Sequence, residues 1–210
     1  MAYTMTFDSL KDDIRRYLER GFTEESDPNV YQQIPRLINF AERRMARELK
    51  LQGFLRAVNT TFTAGVAVYT KPDRWRDTVS VKTTDGPLFT RSYEYIRSFW
   101  PDESVTDTPS FYADYDHDHW IIAPTPEEDV EAEILYYELP SLLDESNQTN
   151  FLTEYAPNAL LYASLLEASP FLKDDARIAV WQQMYDRAAS TLNGEDLQKI
   201  LDRNAKRSEV

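Results

Sequence analysis

The spacing of hydrophobic residues changes period twice along the chain. Between residues 6 and 20, Leu10, Ile14, Tyr17 and Leu18 recur at helical spacing. Thr6 is placed to cap this helix, and Asp8 lies in its first turn, where the helix dipole favours negative charge. A polar loop, residues 23–29, separates it from a second apolar stripe made by Leu37, Ile38, Ala41, Met45 and Leu49, running to Lys50. Pro35 cannot sit inside a helix that starts at Val30, because it lacks an N–H donor and clashes with the preceding turn. The second helix is therefore expected to start near Pro35 or to follow a short irregular turn.

The period then becomes two. Residues 54–63 alternate and are rich in β-branched and aromatic side chains. Residues 66–70 answer them across Ala64-Gly65, which predicts a hairpin. Residues 78–83 alternate through Val79 and Val81 and close at Asp85-Gly86, with Leu88-Phe89 following. Residues 92–100 interrupt this with helical spacing of Tyr95, Ile96 and Phe99, stopped by Pro101. Strands at 110–115 and 120–123 flank the turn Asp116-His117-Asp118, and residues 130–137 form the last strand. After Pro140 the helical period returns. Residues 154–168 carry Leu160, Leu161, Leu165 and Leu166, and Pro170 ends them. Residues 174–193 carry Ile178, Trp181, Tyr185, Ala188 and Leu192, with Asp174 as the expected N-cap and Gly194 as the stop. All five glycines fall at expected element ends, where a positive φ is often needed.

Helices flank the strands instead of alternating with them, which argues against a doubly wound fold and for an α+β chain. The expected architecture is a helical bundle formed by both chain ends, residues 1–53 plus 140–194. Residues 54–139 make an inserted β-rich lobe of short antiparallel strands, and residues 195–210 a C-terminal tail.

Composition narrows the function. With 210 residues, 42% hydrophobic and 28% charged, the chain can build a real core. No apolar stretch is long enough for a membrane span, and residues 1–8 lack the pattern of a signal peptide. Cysteine is absent, which excludes disulfides, thiolate nucleophiles and cysteine metal sites. The net charge of −13 opposes adhesion to a phosphate backbone. It serves solubility, or else a wall along which DNA slides without sticking.

Chemical motifs are few. His117 and His119 would share a face of an extended segment beside Asp114, Asp116 and Asp118, but they lie at an expected hairpin tip, where Asp and His suit a turn. No Ser–His–Asp triad can be built except through those two histidines. No glycine pattern cradles a phosphate. Carboxylates abound, but no pair stands out. The expectation is an uncatalytic chain with no cofactor and no metal.

Interaction surfaces are better represented. Arg43, Arg44 and Arg47 form the densest basic patch, read either as solvated charge paired with Glu42 and Glu48 or as a salt-bridged seam with a neighbouring subunit. Aromatic residues crowd three stretches: Tyr93, Tyr95, Phe99 and Trp100; then Phe111, Tyr112, Tyr115 and Trp120; then Tyr136-Tyr137. Thirteen tyrosines suit either core packing or protein interfaces. Tyr93, Tyr95 and Trp100, with the three arginines, are the candidate subunit-interface residues. In the tail, Leu197, Ile200 and Leu201 sit at i, i+3, i+4, the spacing of a short helix that docks into a partner's groove; the other reading is a frayed terminus.

Three stretches carry a resemblance. They are Leu37-Ile38-Asn39-Phe40-Ala41-Glu42-Arg43-Arg44; Pro109 to Tyr112 with residues 120–126 and Leu135-Tyr136-Tyr137; and Asn150 through Tyr155-Ala156-Pro157 and Leu160-Leu161-Tyr162 to Trp181, Tyr185 and Ala188. In this order they resemble the head-to-tail adaptors of tailed bacteriophages, related to podovirus tail tubular protein A and siphovirus head-completion connectors. The resemblance implies a structural subunit of the virion neck, made in the host cytoplasm. It would sit in a ring of about twelve identical copies below the portal protein, joined to a tail or nozzle protein, with DNA passing and no membrane involved. It also implies that C-terminal segments such as residues 195–210 dock onto the portal, through Leu197, Ile200 and Leu201 here. The alternative function is a virion-associated peptidoglycan hydrolase using paired carboxylates, for which the chain shows no motif.

Overall fold

A computed structural model describes residues 4–18, 28–171 and 176–208. Its helices are α1 (Phe7–Leu18), α2 (Pro28–Tyr31), α3 (Ile34–Glu48), α4 (Tyr93–Phe99), α5 (Phe151–Tyr155), α6 (Pro157–Glu167) and α7 (Arg177–Ser208). Its strands are β1 (Leu55–Phe62), β2 (Val68–Thr70), β3 (Trp75–Thr83), β4 (Gly86–Thr90), β5 (Thr106–Asp107), β6 (Phe111–Asp114), β7 (His119–Ala123), β8 (Thr125–Pro126) and β9 (Val130–Glu138). The chain forms two compact units. One joins the two chain ends, up to Phe54 and from Pro140 onward; the other is Leu55–Leu139. The fold is thus α+β, helical at both ends with an inserted β-rich segment.

In the helical unit, α6 is the central element and contacts α1, α3, α5 and α7. Its sequence is apolar on every side, and Ala159, Leu160, Leu161, Ala163, Leu165 and Leu166 are all buried. A helix without a polar face needs partners all round. Around it, α1 buries Leu10, Ile14 and Leu18, while Tyr17 is exposed at the edge of that stripe and meets Tyr162 edge-to-face. Thr6 does cap α1: its Oγ1 accepts the Ser9 N–H at 3.1 Å, and Ser9 Oγ accepts the Thr6 N–H at 2.8 Å. The chain before Pro35 makes the short α2 and a turn, and Pro35 occupies the first turn of α3, where its missing N–H costs nothing. The expected helix over 154–168 is two helices. Asn150 caps α5, and Pro157 forces a break at Ala156 before α6 begins.

Two glycines behave differently from expectation. Gly194 does not stop the last helix, which runs on to Ser208. A helical glycine costs about 1 kcal/mol relative to alanine, too little to end a helix whose neighbours favour it. Gly53 is required by closeness, not by a positive φ. A Cβ there would lie 2.1 Å from the ring of Phe151. Asp174 and Gly21 lie outside the described residues.

In the β unit the sheet order is β1-β9-β3-β4-β6-β7-β2, with a separate β5-β8 pair. The expected β1–β2 hairpin does not form. β1 pairs with β9 from Leu55↔Tyr137 to Phe62↔Val130, and β2 pairs with β7. The two long alternating segments match along their whole length, which three residues of β2 cannot offer β1. Gly65 N–H instead bonds the Pro126 carbonyl and directs the chain to the far edge. The main sheet is antiparallel except for β4–β6, which are parallel because α4 and the loop after it carry the chain back between them; in the separate pair, β5 and β8 are parallel with the β6–β7 hairpin between them. The β6–β7 hairpin forms as expected. In β3 the register skips between Thr78 and Ser80, so Val79 is the extra residue of a bulge and turns outward, while Val81 stays buried. Phe62, Trp120, Ile122, Ile134 and Tyr136 centre the core. Thr78 Oγ1 accepts hydrogen bonds from two indoles, Trp120 at 2.9 Å and Trp75 at 3.1 Å.

Candidate functional site

The arginine cluster divides in two. Arg43 and Arg47 are exposed on α3, whereas Arg44 turns inward. Its Nη1 lies 2.7 Å from Glu167 Oε1 of α6, its Nε 3.7 Å from Glu48, and its guanidinium 4.9 Å over the Tyr185 ring of α7. Tyr185 in turn donates to Glu48. Burial and the adjacent Glu48 carboxylate push the Tyr185 phenol upward. Arg44 is therefore a clamp across three helices of its own chain, and it is the planar, stackable guanidinium that allows this.

Beside the cluster lies a residue that the sequence treated only as a surface counter-charge. Glu42 is fully buried. Its carboxylate accepts the Leu143 N–H at 3.1 Å, Asn150 Nδ2 at 2.6 Å and Asn39 Nδ2 at 3.4 Å. Asn150 is held in that orientation because its Oδ1 caps α5 through the Leu152 and Thr153 N–H groups. Burial pushes Glu42 up to about 7, against the pull of those hydrogen bonds. Its spacing could have revealed it: Ile38, Ala41, Glu42 and Met45 share the apolar stripe of α3. A carboxyl shifted toward neutrality is the usual mark of an acid catalyst. This one is sealed from substrate, with its oxygens already occupied, and it pins the 140–150 segment to α3.

Aromatic residues separate into core and surface. Tyr112, Trp120, Tyr136, Trp181 and Tyr185 are buried. Tyr93, Phe99, Phe89 and Tyr115 are exposed, and Tyr95 and Trp100 are half-buried. The predicted trio lies on and just after α4, which Ser92 caps by accepting the Tyr95 N–H. Tyr95 packs against Phe99 at 4.6 Å and Phe111 at 6.0 Å, and Trp100 against Phe111 at 5.4 Å. Tyr93 meets Tyr115 edge-to-face, and Arg97 lies over both and pairs with Glu103 at 2.6 Å. The structure thus divides the predicted trio within the β unit: Tyr95 and Trp100 share an aromatic shelf with Phe99 and Phe111, while Tyr93 pairs separately with Tyr115 beside Arg97. The arginines of α3 belong to the helical unit.

Leu197, Ile200 and Leu201 lie on the continuous backbone of α7, and their side chains are outside the described residues. Immediately before them, α7 and α6 form an open groove of about 470 Å³, lined by Tyr155, Tyr162, Met184 and Leu192. His117 and His119 flank Asp118 at the β6–β7 turn. Asp116 is within 2.9 Å of His119 Nδ1, and this contact holds the Asp116 carboxyl below its usual range. Among the described residues no group of three or more such side chains is placed to hold a metal ion, and no helix is long and apolar enough to cross a membrane.

Among the described residues the geometry offers exposed surfaces and internal clamps. Residues 5–207 match the model of the SU10 adaptor protein family. The chain belongs to that family of phage adaptor proteins. No curated protein matches it. A structural adaptor works through what it presents to other virion proteins, so its rigid parts and its exposed apolar parts are what matter. In this adaptor the clamps at Arg44 and Glu42 fix the helical unit, while the α4 shelf and the α6–α7 groove remain exposed.

Proposed function

We propose that this adaptor forms the neck ring that joins a phage head to its tail. Identical copies, about twelve, would close head-to-tail below the portal protein, each using two different patches, as a heterologous ring requires. A tail or nozzle protein would attach on the far side, and DNA would pass through the ring during packaging and ejection. The observation that carries the reading is the family match across nearly the whole chain. The charge of −13 supports it, since an acidic wall repels a passing phosphate backbone. Residues 195–210 are assigned to portal docking, through Leu197, Ile200 and Leu201.

Native mass measurement of the protein alone and mixed with its cognate portal ring tests this. The expected result is a portal complex carrying about twelve added copies, one per position of a closed ring. A protein that ignores the portal at about micromolar concentration, where a specific complex should form, overturns the reading. Removing residues 195–210 should leave the fold intact and abolish portal binding. Undiminished binding would take the docking role away from the tail.

A further inference from the structure

The aromatic shelf on α4 carries a cation that has no counter-ion among the described residues. Arg91 is exposed, and its guanidinium lies 5.6 Å from the Tyr95 ring centre and 5.3 Å from that of Phe111. Its Nη1 donates to the neighbouring Thr90 carbonyl. Arg97, six residues on, has Glu103; among the described residues Arg91 has no carboxylate within ion-pair distance. Two rings flank its guanidinium, which reduces the freedom to be lost when a carboxylate binds.

Apolar surface surrounds this cation. Phe99 is 63% exposed and packs on Tyr95, and Phe89 is 58% exposed. Phe89 is the register partner of Phe111 in the parallel β4–β6 pair, so the two share a face and extend the shelf. Exposed rings beside an arginine, with half-buried aromatics beneath, have the composition of an interface hot spot.

We propose that the Arg91–Phe99 shelf receives a carboxylate-bearing, partly apolar surface of a second copy of this chain. Charge complementarity points to a copy: the chain is strongly acidic, and the shelf is a place where it presents an unpaired cation on apolar ground. The same net charge disfavours nucleic acid as the occupant. This deepens the ring reading and rests on it, because a heterologous ring needs one such receiving patch on every subunit.

The test compares the full chain with Arg91→Glu and Phe99→Ser by sedimentation, alone and on the portal ring. Unchanged thermal unfolding confirms that the variants fold. The expected result is that wild-type copies associate with one another, cooperatively on the portal. Each variant should lose roughly tenfold or more in copy–copy affinity while single copies still bind the portal normally. Three results overturn the proposal. The first is variants that associate like wild type; the second is wild-type copies that never associate, alone or on the portal; the third is variants that lose single-copy portal binding, which would give the shelf a different occupant. Portal binding by isolated single copies leaves the adaptor reading standing when the shelf fails. Absence of all portal binding sinks the adaptor reading itself.

Discussion

Replacing Glu42 with glutamine should change how stability depends on pH. The ordinary carboxyl value is 4.5, and burial lifts Glu42 to about 7 in the folded chain. A gap of about 2.5 pH units, at roughly 1.4 kcal/mol each, corresponds to ~3.5 kcal/mol. The sign follows from which state holds the proton. The folded chain keeps it up to about pH 7, whereas the unfolded chain releases it near 4.5, so the group's contribution is fully present below 4.5 and lost as pH rises through 7. Glutamine cannot ionise and has no such dependence. Its amide nitrogen would also face the Leu143 or Asn150 donors, so Glu42→Gln is expected to be less stable than wild type near pH 5. The deficit should shrink by ~2.5 kcal/mol, or reverse, near pH 8, because part of the contribution is already lost at pH 5. Urea unfolding of both proteins at the two pH values, followed by far-UV circular dichroism, measures the difference, and titrations common to both cancel. A wild-type-to-variant difference that stays constant within about 0.5 kcal/mol would refute the reasoning, because it would mean that Glu42 keeps one protonation state throughout.

Other perturbations probe the helical unit. Gly53→Ala should cost about 1–3 kcal/mol in urea unfolding, because the new Cβ meets a Phe151 ring already packed against Phe54 and Tyr155; a loss below about 0.5 kcal/mol would mean that the ring swings aside. Arg44→Lys keeps the charge but loses the planar stack on Tyr185, and should cost ~1–2 kcal/mol. A double-mutant cycle of Arg44→Met with Glu167→Gln should give a coupling near 1 kcal/mol for the wild-type pair, and no coupling would show that the 2.7 Å contact adds nothing.

The sequence by itself determined the elements. Periods of 3.6 and 2 are local properties of the chain, so the stripe at Leu10, Ile14 and Leu18, the alternation along residues 130–137 and the largely apolar run at 159–166 could each be read from neighbours alone. Their order fixed the α+β layout, and the ordered stretches from Leu37 to Ala188 were enough to suggest the family. What the tertiary structure decided was pairing and environment. A strand's alternation says that it has a buried face but not which edge it will meet, so β1 went to β9 and β2 to β7. One extra residue in β3 reversed Val79, and no spacing rule reports a bulge in advance. Arg44 and Arg43 are adjacent in sequence, yet one is a three-helix clamp and the other a surface charge, because a helix turns its neighbours about 100° apart. Glu42 acquired its meaning only when the 140–150 segment, a hundred residues later, closed over it. Burial, charge balance and contact between distant segments are properties of the folded chain, and for this adaptor they separate the side chains that hold the subunit together from those it offers to its neighbours.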